Sequence, residues 1–238
     1  VKFLNSSNAI AGKVLSNVSS VNDFFTLRKQ NDKLSAENAF LKSELLSIRQ
    51  VGLNQLPAPR PDSNLVKVIP AKVINNSVNK QYNYITLNKG SRQGVRPDMG
   101  VICSDGVVGV IVNVSQNYST ALSVLNSRWS INAKMLNSNH FGPLKWEGKN
   151  PYLAVLNEIP YHVQVTEDDE VVTSGYSDIF PEGILIGRVV KVENSGARNF
   201  QEIWVQLSTD FNNLYYVEII QNSMNMERRQ LENMIQNE

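Results

Sequence analysis

The 238 residues carry 23 Lys/Arg against 22 Asp/Glu, a net charge of +1, with 42% hydrophobic and 19% charged side chains. That balance excludes a disordered chain and gives no general attraction to nucleic acid. A single cysteine, Cys103, and two histidines, His140 and His162, exclude an intrachain disulfide framework and a Cys-based zinc site, and leave little for acid–base chemistry.

The chain opens on Val1 rather than Met, which reads as a fragment or processed form with any signal or anchor segment ahead of it. The longest nearly unbroken apolar run, Val107 to Val114, is too short to cross a bilayer. From about Asn8 to Arg49 there is no proline, and Gly12 is the one breaker. Leu27, Leu34, Leu41 and Ile48 recur every seven residues, and Asn31, Asn38 and Leu45 fall four residues after successive members of that series. This is an a/d seam in which d is apolar and two of three a positions are Asn, a choice that costs stability and fixes register. Residues 1–56 are therefore expected to form a long N-terminal helix pairing as a parallel dimeric coiled coil. The competing reading is a lone amphipathic helix lying on the following domain, for which an a/d-only stripe is narrow. At 1.5 Å per residue, Val14 to Arg49 is a rod of about 50 Å.

Pro57, Pro59 and Pro61 deny helical hydrogen bonds, so residues 57–65 read as a stiff, extended linker. Of the 27 valines, 22 follow residue 56, which points to strands. Strand signals run Val66 to Ile74, Tyr84 to Leu87, Gly100 to Cys103, Val107 to Val114, Ala121 to Leu125 and Ser130 to Met135. Asn, Gly, Pro and Asp turns separate them. The order recurs in Asp169 to Gly175, Pro181 to Gly187, Val189 to Val192, Ile203 to Leu207 and Leu214 to Ile220. A repeat at about 80 residues implies two similar small β-barrels or sandwiches. The expected fold is mainly β: a first barrel over 66–150, a second over 151–222, and a tail over 223–238 that is frayed or a short helix.

Reactive constellations are thin. Gly90-Ser-Arg-Gln-Gly94 lacks the Lys-Ser/Thr of a phosphate cradle and reads as a turn. Glu167, Asp168, Asp169 and Glu170 lack the alternating spacing and loop glycine of an EF-hand and read as a solvated acidic turn. Lys145-Trp-Glu-Gly-Lys149 reads as a turn with a packed Trp, not a nucleic-acid contact. Two barrels raise the alternative of a chymotrypsin-like serine hydrolase with Ser174 as nucleophile, but no Gly-x-Ser-x-Gly surrounds it. A periplasmic transport adaptor is a further alternative, disfavoured by a single heptad segment. No cofactor, metal or catalytic residue is expected.

Several stretches resemble the MreC family of bacterial rod-shape-determining proteins. They are Ile85-Thr-Leu-Asn-Lys-Gly-Ser-Arg-Gln-Gly-Val95, Met99-Gly-Val-Ile102, Asp105-Gly-Val-Val-Gly109, Val171-Val-Thr-Ser-Gly-Tyr-Ser-Asp-Ile-Phe-Pro-Glu-Gly-Ile-Leu-Ile-Gly187 and Asn213-Leu-Tyr-Tyr-Val217. One departure is Asp168, where the family places Gly. The resemblance implies a non-enzymatic scaffold for cell-wall elongation on the periplasmic face of the cytoplasmic membrane, anchored by a span before residue 1. It implies dimers or filaments, with a class B penicillin-binding transpeptidase, RodA, MreD and MreB as partners.

The residues themselves place a partner surface at Tyr176 to Ile186. Tyr176, Ile179 and Phe180 are large apolar side chains on a loop, either offered to a partner or tucked into their own barrel. Tyr176 reads as offered and Phe180 as tucked. Residues 57–150 hold 11 Lys/Arg and 4 Asp/Glu, whereas residues 151–238 hold 5 and 14, giving +7 and −9. Opposite charges on the halves favour a head-to-tail filament, with the acidic turn Glu167 to Glu170 on its negative face.

Overall fold

The structure, a computed structural model, describes residues 29–46, 66–138, 140–177, 179–194 and 199–222. Of these, residues 29–41 belong to one unit and those from 42 onward to a second. Among the described residues helix α1 covers 29–46; the rest of the expected rod, with Leu27 and Ile48, the linker 57–65 and the tail 223–238 lie outside the described residues. Along α1, Leu34, Leu41 and Leu45 are 55%, 60% and 63% exposed, and Asn31 and Asn38 are exposed with them. The last turn has a different environment. Leu46 is buried in the core of the following domain, and Lys42 Nζ donates to Cys103 O at 3.0 Å and pairs with Glu218 at 2.8 Å. That end of the helix behaves as the competing reading expected.

Twelve strands follow among the described residues. They are β1 (Val66–Asn76), β2 (Tyr82–Leu87), β3 (Gly100–Ile102), β4 (Val107–Val114), β5 (Ser119–Asn126), β6 (Ser130–Met135), β7 (Phe141–Lys145), β8 (Leu153–Pro160), β9 (Glu170–Thr173), β10 (Leu185–Asn194), β11 (Phe200–Leu207) and β12 (Tyr216–Asn222). They close into two barrels, β1-β12-β3-β4-β5-β2 and β10-β11-β8-β7-β6-β9. Closure leaves no open sheet edge on either. The first buries Ile69, Ile85, Leu87, Val101, Ile111, Val217 and Ile219; the second buries Ile131, Leu144, Leu156, Val171, Ile203 and Val205.

The strand order repeats, but the barrels are not the sequence halves. Strands β1 to β5 take the same neighbours in the first barrel as β7 to β11 take in the second. The sixth strand of each set crosses over: β6 lies between β7 and β9, and β12 lies between β1 and β3. The expected division at residue 150 is therefore replaced by a first barrel of 66–126 plus 216–222 and a second of 130–207. The physical cause is local. The short connection 136–140 folds β6 back on β7 as an antiparallel hairpin, with Ser130 opposite Lys145 and Lys134 opposite Phe141. The vacated place in the first barrel is left for β12.

Exchange also redistributes charge. Residues 66–126 and 216–222 hold six Lys/Arg and three Asp/Glu, or +3, while residues 130–207 hold six and ten, or −4. The asymmetry of +7 against −9 shrinks, in part because basic Lys134, Lys145 and Lys149 belong to the second barrel and acidic Glu218 to the first, and in part because the barrels leave out residues such as Arg128, Asp210 and the charged tail after 222.

Candidate partner-binding face

The loop from β9 to β10 is held at its base by one buried side chain. Thr173 Oγ1 donates to Pro181 O at 2.6 Å and accepts from Ile184 N at 2.9 Å, and Thr173 O accepts from Gly183 N at 3.0 Å. Gly175 has φ of 77°, and a Cβ there would stand 2.9 Å from Glu182 Cβ, so the turn needs glycine both for its backbone and for its space. Glu182 is ion-paired with Lys134 of β6.

From this base Tyr176 projects outward, 66% exposed, and its ring meets exposed Phe141 of β7 at a centroid distance of 4.7 Å and a tilt of 39°. The aromatic pair lies beside the Lys134–Glu182 ion pair, since Lys134 is opposite Phe141 in the β6–β7 register. Ile179 is half-buried. Phe180 is 2% exposed and is removed from the expected partner surface. It tucks against the other barrel: a Cβ on Gly100 of β3 would lie 2.7 Å from the Phe180 ring and 3.0 Å from Ile179 O. Phe141 went unread because Gly142 and Pro143 follow it and mask the strand that presents it.

The acidic turn lies at the opposite end of β9 from the aromatic loop. Asp169 accepts from Thr166 N at 2.9 Å and Asn137 Nδ2 at 3.2 Å, and Glu170 is ion-paired with Arg188, so these two carboxylates serve the fold. Glu167 and Asp168 are exposed. Asp168 stands at φ of 68°, the left-handed region that glycine occupies without a Cβ clash. Asp168→Gly is expected to stabilise the chain by about 1 kcal/mol, the low end for relief of a left-handed residue because Asp tolerates that region better than most, seen as a rise of a few degrees in melting temperature. A fall would mean that the Asp side chain contributes more than the backbone strain costs.

The remaining motifs resolve structurally. The N–H groups of Gly90 to Val95 all donate within the protein, to Gln93 Oε1, Ser115 O, Gln116 O, Gly90 O and Ser91 O, which leaves none for a phosphate. Trp146 is buried and donates to Asn150 O at 2.7 Å, away from any stacking role. Ser174 is 4% exposed and its hydroxyl accepts from Tyr176 N at 3.3 Å, the opposite of a presented nucleophile. His140 and His162 meet edge to face, centroids 5.8 Å apart. Among the described residues no group of three His, Cys, Asp or Glu is placed to hold a metal ion, and no helix is long and apolar enough to cross a membrane.

Two carboxyls lie below their ordinary range. The Lys191 side chain, and then the Trp204 N–H, hold Glu193 down; the Asn213 side chain, and then the Asn212 N–H, hold Asp210 down. Each contributes stability that is present above its unfolded value and is lost as pH falls through the lower folded value. Asp210 caps the short 3₁₀ turn Phe211–Asn213 that leads into β12.

Comparison with known proteins agrees with this architecture. Over 156 residues the chain is 28% identical to the cell shape-determining protein MreC of Listeria monocytogenes, covering 64% of this chain and 53% of that protein. The chain thus spans about half of that relative's length. The solved structure of MreC from Listeria monocytogenes superposes with a TM-score of 0.63 at 25% identity, covering 82% of this chain and 92% of that one. A complex between penicillin-binding protein PBP2 and MreC from Helicobacter pylori shares the fold at 16% identity, with a TM-score of 0.54 over 66% of this chain and 99% of that one. The family model for the barrel core of rod shape-determining protein MreC matches residues 73–221, from Val73 within β1 to Gln221 within β12, and on that match the chain belongs to the MreC family.

Proposed function

We propose that this chain is the body of a cell-shape scaffold on the outer side of the cytoplasmic membrane, pairing through α1 and offering the Phe141–Tyr176 face to a class B penicillin-binding transpeptidase. The observation that carries the reading is the exposed aromatic pair, set beside an ion pair on a loop that Thr173 holds in place. Rigid, exposed Tyr and Phe rings are what interface hot spots are made from. The fold shared with an MreC seen in complex with PBP2 supports the choice of partner. RodA, MreD and MreB follow from family membership alone. A head-to-tail filament driven by opposite charge has less support at +3 against −4 than the sequence halves suggested.

Tyr176→Ala is expected to leave the melting temperature within about 1 °C, because an exposed ring contributes little to folding. It should weaken binding of the transpeptidase ectodomain roughly tenfold, the equivalent of about 1.4 kcal/mol. Phe141→Ala should do the same. Titration calorimetry giving unchanged affinity for both variants would sink the docking face; a large loss of melting temperature in Tyr176→Ala would make the residue part of the core.

A further inference from the structure

The loop between β9 and β10 carries two aromatic side chains that face different barrels. Tyr176 lies on the surface of the second, against Phe141, and Phe180 is pressed onto Gly100 of the first. The base of the loop, on either side of these two residues, is tightly held. Thr173 grips both Pro181 O and Ile184 N, Gly175 packs against Glu182, and Glu182 is tied to Lys134 of β6. The Phe180 ring and the backbone carbonyl of Ile179 both lie against Gly100, and Pro181 O, next along the chain, is one of the two groups that Thr173 Oγ1 holds. A side chain at position 100 presses on backbone as well as ring, since its Cβ would stand 2.7 Å from the Phe180 ring and 3.0 Å from Ile179 O. The joint is reinforced nearby: Thr209 Oγ1 donates to Val107 O at 3.0 Å, and a Cβ at Gly106 would lie 2.5 Å from Leu185 O.

We propose that Phe180 is a positioning residue for the partner face: seated on Gly100 of the first barrel, it fixes Tyr176 on the second, so that docking at Tyr176 and the setting of one barrel against the other are coupled. The proposal rests on the Phe141–Tyr176 pair being the docking face. Packed joints switch between discrete arrangements instead of deforming smoothly. A partner that moves Tyr176 therefore biases the inter-barrel joint, and a joint that shifts withdraws Tyr176 from its stack.

The test uses the whole chain with Phe180→Leu, Gly100→Ala and, as a control for lost core packing, Ile111→Val in the first barrel. Two quantities are read. The ring-current shift of the Tyr176 ring protons reports the stack on Phe141 without any partner; the dissociation constant for the transpeptidase ectodomain reports docking. Phe180→Leu is expected to move the Tyr176 ring signals toward their unstacked positions and to weaken binding at least threefold, although residue 180 is buried. Gly100→Ala should act in the same direction if it folds; Ile111→Val should do neither. If Tyr176→Ala leaves binding unchanged, the docking reading falls, and the ring shift in Phe180→Leu still decides the coupling. Tyr176 signals and affinity in Phe180→Leu that match those of Ile111→Val would overturn the proposal.

Discussion

A chain ending at Tyr215 is expected to keep its second barrel and lose its first. Strand β12 supplies seven paired positions to β1 and three to β3, and it buries Val217, Ile219 and Ile220. Those three side chains contribute about 5–9 kcal/mol at the usual value of 1.5–3 kcal/mol for a fully buried aliphatic or aromatic side chain. Domains of this kind are stable by only about 5–15 kcal/mol in total. Without β12, the edges of β1 and β3 stand open and the barrel cannot close. Amide exchange should therefore show protection lost across 66–126 and kept across 130–207, although the deleted residues lie far from 66–126 in sequence. Ile219→Ala should weaken the same region by about 2–5 kcal/mol. Protection surviving across 66–126 in the truncated chain would contradict the exchanged topology.

Replacing Leu34 and Leu41 with Asp is expected to turn dimers into monomers whose barrels remain folded. A surface helix rarely leaves three leucines open to water along one stripe; Leu34, Leu41 and Leu45 are each more than half exposed on α1. Burying them against a second copy contributes about 1.5–3 kcal/mol per leucine. Asn31 and Asn38, exposed on the same face, fit the polar a positions that fix register at some cost in stability. An Asp at either d position places an unpaired charge in that seam. The barrels lie outside it, so their unfolding transition should not move. Light scattering that finds the same mass for wild type and variant would remove the seam and leave α1 as a helix docked through its last turn.

The β character and the repeat were legible in the residues because valine runs and Asn/Gly/Pro turns mark strands whatever their partners. Strand β4 begins and ends where its apolar run meets turn residues, and β6 where alternation and turn residues place it. Two strands escaped for different reasons. β7 reads Phe-Gly-Pro-Leu-Lys, and its Gly142 is needed because a Cβ there would stand 2.0 Å from Asn157 O. β8 buries Ala154, Val155 and Leu156 in succession, so the period of two is absent. Pairing partners could not be read at all. Periodicity states which face of a strand is buried and is silent on its neighbours, and the choice of β7 for β6 comes from a short connection. The site followed the same division. That Tyr176 stands on a loop was visible, but the identity of its stacking partner Phe141, and the seat of Phe180 across the joint, depend on contacts between distant segments.

The exchanged strand imposes an order on the growing polypeptide. Strands β1 to β5 are complete by residue 126, yet the place between β1 and β3 stays empty until residue 222 has been made. At the usual 5–20 residues per second that interval is roughly 5–20 s. Meanwhile the six strands of the other barrel emerge consecutively and have everything they need to close. The earlier-made strands therefore finish second, contrary to the usual N-terminal-first sequence of events. Throughout the wait they present two unpaired edges, the geometry that chaperones shield and that neighbouring nascent chains extend into aggregates.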